Sequence, residues 1–139
     1  MFNRIVLALV AIVISVAVSN AKEGKKQEEC PTLNRSEIEN LISQAPSCQR
    51  AISLFEICAF GSSADVGLGA AATEKCEADF LSKLSSAQKR TYDRQQKRCA
   101  RKYRNQSGSM YRAFEALCGA YVARDYSAKF LKKSLGGRK

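Results

Sequence analysis

A chain of 139 residues with 23 Lys and Arg, 13 Asp and Glu and no His carries a formal charge of +10 at neutral pH. The missing imidazole removes the commonest general base and the commonest metal ligand, and the length suits one domain rather than two. Six Cys, with no pair closer than Cys48 and Cys58, lack the two-to-four-residue ligand spacing of a zinc site and read as three disulfides.

The first 21 residues set the expected compartment. Arg4 gives a short positive start, Ile5 to Val18 is an uncharged run of 14 residues, and Ser19 and Ala21 are small. That is the layout of a cleaved secretory signal peptide, with the cut after Ala21. A spanning helix needs about 20 apolar residues. The remainder, residues 22–139, is expected in the periplasm or outside the cell, with no transmembrane segment. Residues 22–33 read as a loose charged arm, 34–135 as a disulfide-bonded helical domain and 136–139 as a basic tail.

β-branched runs are absent after the leader and only Pro31 and Pro46 interrupt, so the pattern predicts an all-α bundle of four to five helices. A first helix is expected from Ser36, with Glu39 completing a capping box, and it ends before Pro46. Ser47 caps a second helix, with Gln49, Arg50, Ser53 and Glu56 outward and Cys48, Ile52, Leu54, Phe55 and Cys58 inward. Residues 61–69, GSSADVGLG, read as a flexible connection. A third helix is expected from Ala70 to Leu84, with Thr73, Cys76, Phe80 and Leu84 on its inner face. Ser85 with Gln88 repeats the capping box for a fourth helix to Tyr103. A fifth runs from Ser109 to about Lys132, its core stripe read as Met110, Phe114, Leu117, Cys118, Tyr121 and Ala128. Asp125 falls on that stripe and is expected to serve as an internal partner for an Arg. Cys48 and Cys58 on one continuous helix would sit about 15 Å apart, beyond the roughly 7 Å that a disulfide allows. Of the fifteen possible pairings of Cys30, Cys48, Cys58, Cys76, Cys99 and Cys118, the three that join Cys48 to Cys58 fall away and twelve stay open.

Charge divides along the chain. Residues 22–82 hold six Lys and Arg against ten Asp and Glu, a net −4; residues 83–139 hold sixteen against three, a net +13. At 100° per residue, Arg90, Arg94, Lys97, Arg101 and Arg104 fall close to one line of the fourth helix with Arg98 beside it, opposite Tyr92, Cys99 and Tyr103. Like charges at i,i+4 cost a few tenths of a kcal/mol each. Such a stripe is a solvated face, a surface that docks on the acidic first half, or an anion-binding stripe for an acidic lipid, a phosphate-bearing envelope polymer or an acidic protein. Lys129, Lys132 and Lys133 could touch acidic lipid as well. Nucleic acid is not an expected partner, because the aromatic-rich signatures of its binders are missing.

No constellation for catalysis is legible. Carboxylates share a helix face only in the first half, at Glu37 and Glu39 or at Glu74, Glu77 and Asp79, and Gly67-Leu68-Gly69 is not a phosphate loop. The chain reads as a non-enzyme with no cofactor and no metal.

One stretch carries a resemblance. Cys76 is followed by Leu84-Ser85-x-Ala87-Gln88, Gln96 with Cys99, Tyr103-Arg104, Gly108-Ser109, and Cys118 with Val122-Ala123. From Cys76 to about Phe130 the chain resembles the LprI/YecT-like lysozyme-inhibitor family of bacterial envelope proteins, with Cys99 where that family has a Trp. The resemblance implies an exported helical protein that binds and blocks a lysozyme. Glu37, Glu39, Glu74, Glu77 and Asp79 would then steer the contact, because the basic second half repels a basic lysozyme.

Overall fold

The computed structural model describes residues 28–136. The expected leader at 1–21, the first half of the arm (22–27) and the end of the basic tail (137–139) lie outside the described residues. Within them the chain is all-helical: α1 (Arg35–Ser43), α2 (Cys48–Cys58), α3 (Asp65–Glu77), a 3₁₀ turn (Leu81–Lys83), α4 (Ser86–Tyr103) and α5 (Ser109–Gly136). No helix among them is long and apolar enough to cross a membrane.

The caps follow local chemistry, with one correction. Asn34, not Ser36, starts α1: its Oδ1 accepts from the backbone N–H of Ser36 (3.0 Å) and Glu37 (3.3 Å). Asn caps as well as Ser, and Glu39 is drawn instead into an i,i+4 pair with Arg35 at 2.8 Å. Ser47 caps α2 through the N–H of Arg50, and Ser85 with Gln88 forms the full capping box of α4. The inward side of α2 is the one its periodicity predicts: Cys48, Ala51, Ile52, Leu54, Phe55 and Cys58 are buried.

The third helix departs most from its expected bounds. It begins at Asp65, inside the stretch read as a flexible connection, and stops at Glu77 rather than Leu84. The cause of the early start is Asp65, which is 1% exposed. Its carboxylate accepts from the backbone N–H of Phe60 (2.8 Å), Gly61 (2.8 Å) and Ser62 (3.2 Å), folding the loop back over the helix start. Gly61 makes that turn at φ +68°, a region open to glycine. Gly67 and Gly69 then lie in the helix, each costing about 1 kcal/mol against Ala. Gly69 is offset by packing: a Cβ there would stand 2.7 Å from the Ala116 Cβ and 3.1 Å from its carbonyl oxygen.

That close approach explains a second correction. The fully buried face of α5 is Ala113, Gly119, Ala120, Ala123 and Ser127; of the expected stripe, Leu117 and Tyr121 pack half-buried against the core and Cys118 is half-buried, while the rest lies outside. Met110 is 48% and Phe114 42% exposed, and Ala128 is also exposed. Small residues win the inner face because α3, itself lined with Gly69 and Ala72, packs most extensively against α5. Asp125 lies on the surface and pairs with its neighbour Arg124 at 2.9 Å.

The helices make two clamped units. Cys30–Cys58 ties the arm to α2, and Cys48–Cys76 ties α2 to α3. Cys99–Cys118 ties α4 to α5. The two Cys of α2 go to different partners, as their separation requires. No disulfide joins the acidic half to the basic half. That junction is made by α3 on α5, by packing of Phe80 with Tyr92 and Tyr126 at centroid distances of 5.2 and 5.5 Å, and by hydrogen bonds.

Candidate functional site

The six stripe cations are placed by α4. Tyr92 and Cys99 are buried and fix the helix against the core, so the opposite side faces water. Arg90, Arg94, Lys97, Arg98, Arg101 and Arg104 are all exposed. Three of them converge: Arg94, Arg98 and Arg101, with Thr91 and Gln95, line a shallow concavity of about 360 Å³. The Arg94 guanidinium donates to the Thr91 hydroxyl at 2.8 Å, which orients it. Arg90, Lys97 and Arg104 lie outside that concavity. Thr91 and Gln95 escape a reading based on charge alone, though each stands three residues before an Arg, Arg94 and Arg98, and that spacing is the available signal.

Internal neutralisation does not occupy this face. Among the described residues the ion pairs are Arg35–Glu39, Arg50–Glu28, Arg112–Glu115 and Arg124–Asp125. None involves the stripe, and none crosses from one half to the other. The acids of the first half meet the second half through hydroxyl groups instead. Tyr92 donates to Glu77 at 2.7 Å, Tyr121 donates to Glu56 at 2.7 Å, and Ser127 donates to Asp79. Burial, then the Glu77 hydrogen bond, holds the Tyr92 phenol far above its ordinary range, with Gln96 pulling the other way. Burial and Glu56 raise Tyr121 in the same sense.

The five acids expected to steer a partner are therefore dispersed. Glu37 accepts from the Thr32 hydroxyl at 2.7 Å and Glu39 pairs with Arg35. Glu77 and Asp79 are engaged across the junction. Glu74 lines a groove of about 950 Å³ between α3, α4 and α5 together with Glu77, Glu115, Arg112 and the small residues Gly69, Ala116 and Gly119, and Arg112 pairs there with Glu115 at 3.3 Å. The groove exists because the α3–α5 approach is close while α4 rests principally on α5. Glu115, from the basic half, joins Glu74 and Glu77 in this lining, paired with Arg112, which the division of the chain by charge does not reveal.

Three disulfides are the chemistry of an oxidising, extracellular-type environment. No family model, curated protein or solved structure matches the chain.

Proposed function

We propose that this is a non-enzymatic exported binding protein that grips an anionic envelope surface through the cationic face of α4. The observation that carries this reading is that six cations lie exposed on one helix face with no ion pair among the described residues. Asp93 is the one acid on α4 and forms no ion pair with the six cations, so their mutual repulsion is little compensated within the helix and an external anion is the natural counter-charge. Arg94, Arg98 and Arg101 supply forked donors that suit phosphate oxygens. Each cation near an anionic membrane contributes about 1 kcal/mol. Co-sedimentation with phosphatidylglycerol vesicles, against phosphatidylcholine vesicles, tests the reading. Binding to the first alone, weakening steeply as salt shortens the screening length to about 8 Å near 0.15 M, supports it. Equal binding to both, or none, rejects it.

A second reading is inhibition of a lysozyme, which the LprI-like resemblance implies and the groove lined by Glu74, Glu77 and Glu115 favours. Glu115 is paired with Arg112 and Glu77 with Tyr92, which leaves Glu74, beside the small Gly69, Ala116 and Gly119, to meet a basic side chain of such an enzyme. Lysozyme activity measured with the protein at micromolar excess tests this reading. Inhibition that disappears in Glu74→Lys supports it, and unchanged lysozyme activity removes it.

A further inference from the structure

A separate cavity lies where the start of α4 passes the end of α5. Its volume is about 460 Å³, within the roughly 300–1,000 Å³ of small-molecule sites. Phe80, Leu84, Tyr126 and Phe130 form its apolar wall. Phe80 is fully buried and belongs to the aromatic cluster with Tyr92 and Tyr126, so that wall is built on the core. Ala87, in the first turn of α4, is exposed and small, which leaves the cavity open.

The mouth is cationic. Lys129 and Lys133 line it, one helical turn apart on α5, and no acid lines it. The Lys83 ammonium stands 4.9 Å from the Phe130 ring centre and the Lys129 ammonium 6.0 Å from that of Tyr126. Neither forms an ion pair among the described residues; Lys83, which does not line the cavity, also donates to the Asp79 carbonyl oxygen at 3.1 Å. An apolar interior with unpaired ammonium groups at its rim is complementary to a ligand with an apolar body and a single anionic end.

We propose that this cavity binds a single-chain amphipathic anion, an acyl chain carrying a carboxylate or phosphate head, with the chain against Phe80, Leu84, Tyr126 and Phe130 and the head between Lys129 and Lys133. The site borders the α4 stripe at Thr91, which lines both, but Arg94, Arg98 and Arg101 do not line it, and it stands or falls apart from the vesicle experiment.

Calorimetric titration of the full disulfide-bonded chain tests the proposal, with each lipid kept below its self-association limit. The probes are oleate, oleoyl-lysophosphatidylglycerol, uncharged monoolein and inorganic phosphate. The two anionic chains compare a carboxylate head with a phosphate head. Saturable micromolar binding of at least one of them, with monoolein at least tenfold weaker and phosphate alone not bound, is the expected result. Ala87→Trp fills the cavity from an exposed position and should abolish binding while helical circular dichroism is unchanged. Lys129→Glu with Lys133→Glu should weaken the anionic chains at least tenfold and leave monoolein as it was. Arg94→Glu with Arg101→Glu should leave oleate binding in place. Failure of both anionic chains to bind, or equal binding by the Ala87→Trp variant, overturns the proposal. So does a dimer that Ala87→Trp disperses with no ligand bound, which would assign the cavity to a second copy of the chain.

Discussion

At the residue scale, buried polar groups hold the loop and the junction. Asp65 accepts three backbone N–H groups from the 60–62 loop. Hydrogen bonds to a charged group are worth about 1.5–3 kcal/mol, and leaving donors unmet costs more. Asp65→Ala should therefore lose roughly 2–3 kcal/mol in denaturant unfolding, with Asp65→Asn recovering part of it. A loss under about 0.5 kcal/mol, the usual size for a surface change, would contradict the assignment. Tyr92 works across the junction, donating to Glu77 and accepting from Gln96 at 2.6 Å. Its phenol is raised in the folded protein, whereas in the unfolded chain it ionises near pH 10. The unfolded state then sheds a proton that the folded state keeps, so this stabilisation is full below about pH 10 and is lost as pH rises further. Tyr92→Phe should lower stability at pH 7 and flatten the decline above about pH 10. An unchanged alkaline slope would contradict the linkage.

At the element scale, α3 tests which of two opposed effects wins at a helical glycine. Gly→Ala gains about 1 kcal/mol of helix propensity. At Gly69 the new methyl would meet Ala116 at 2.7 Å, and overpacking of this kind costs about 1–3 kcal/mol. Gly69→Ala should come out destabilising. At Gly67 the nearest groups are the side-chain ends of Glu39 and Arg35, an exposed pair worth less than about 1 kcal/mol that can swing aside. Gly67→Ala should be neutral or stabilising. Paired unfolding curves check the contrast, and the reverse order would contradict the packing account. The same elements show what was legible in the sequence. Helix number, the Ser47 and Ser85 caps and the inward face of α2 follow from periodicity and cap chemistry, which are local. The start of α3 and the buried face of α5 do not, because both depend on what meets them in space. Asp65 draws in a loop that reads as flexible, and Ala116 sits against Gly69 while Met110 and Phe114 are left outside. The α4 stripe was legible by angle alone. Its convergence on Thr91 and Gln95, and the contribution of Glu115 to the acidic groove, required the fold.

At the scale of the whole molecule, the covalent clamps and the charge divide together. Cys30–Cys58 and Cys48–Cys76 each span 28 residues and lie in the acidic half; Cys99–Cys118 spans 19 and lies in the basic half. Loops of this length lose about 3–4 kcal/mol of stabilisation each when opened. Replacing Cys99 and Cys118 with Ser should lower stability by about 3 kcal/mol, read as an earlier denaturant midpoint. An unchanged midpoint would contradict the clamp. The junction between the halves carries no ion pair among the described residues, so salt should change its stability little while changing the behaviour of the α4 face strongly. The most direct test of that separation compares the wild-type chain with the Arg94→Glu, Arg101→Glu variant on phosphatidylglycerol vesicles over a salt series. The account predicts about tenfold weaker binding by the variant at low salt, a shallower salt dependence, and an unfolding midpoint no lower than that of wild type, because the substitutions relieve like-charge repulsion on α4. Superimposable binding curves for the two proteins would contradict it.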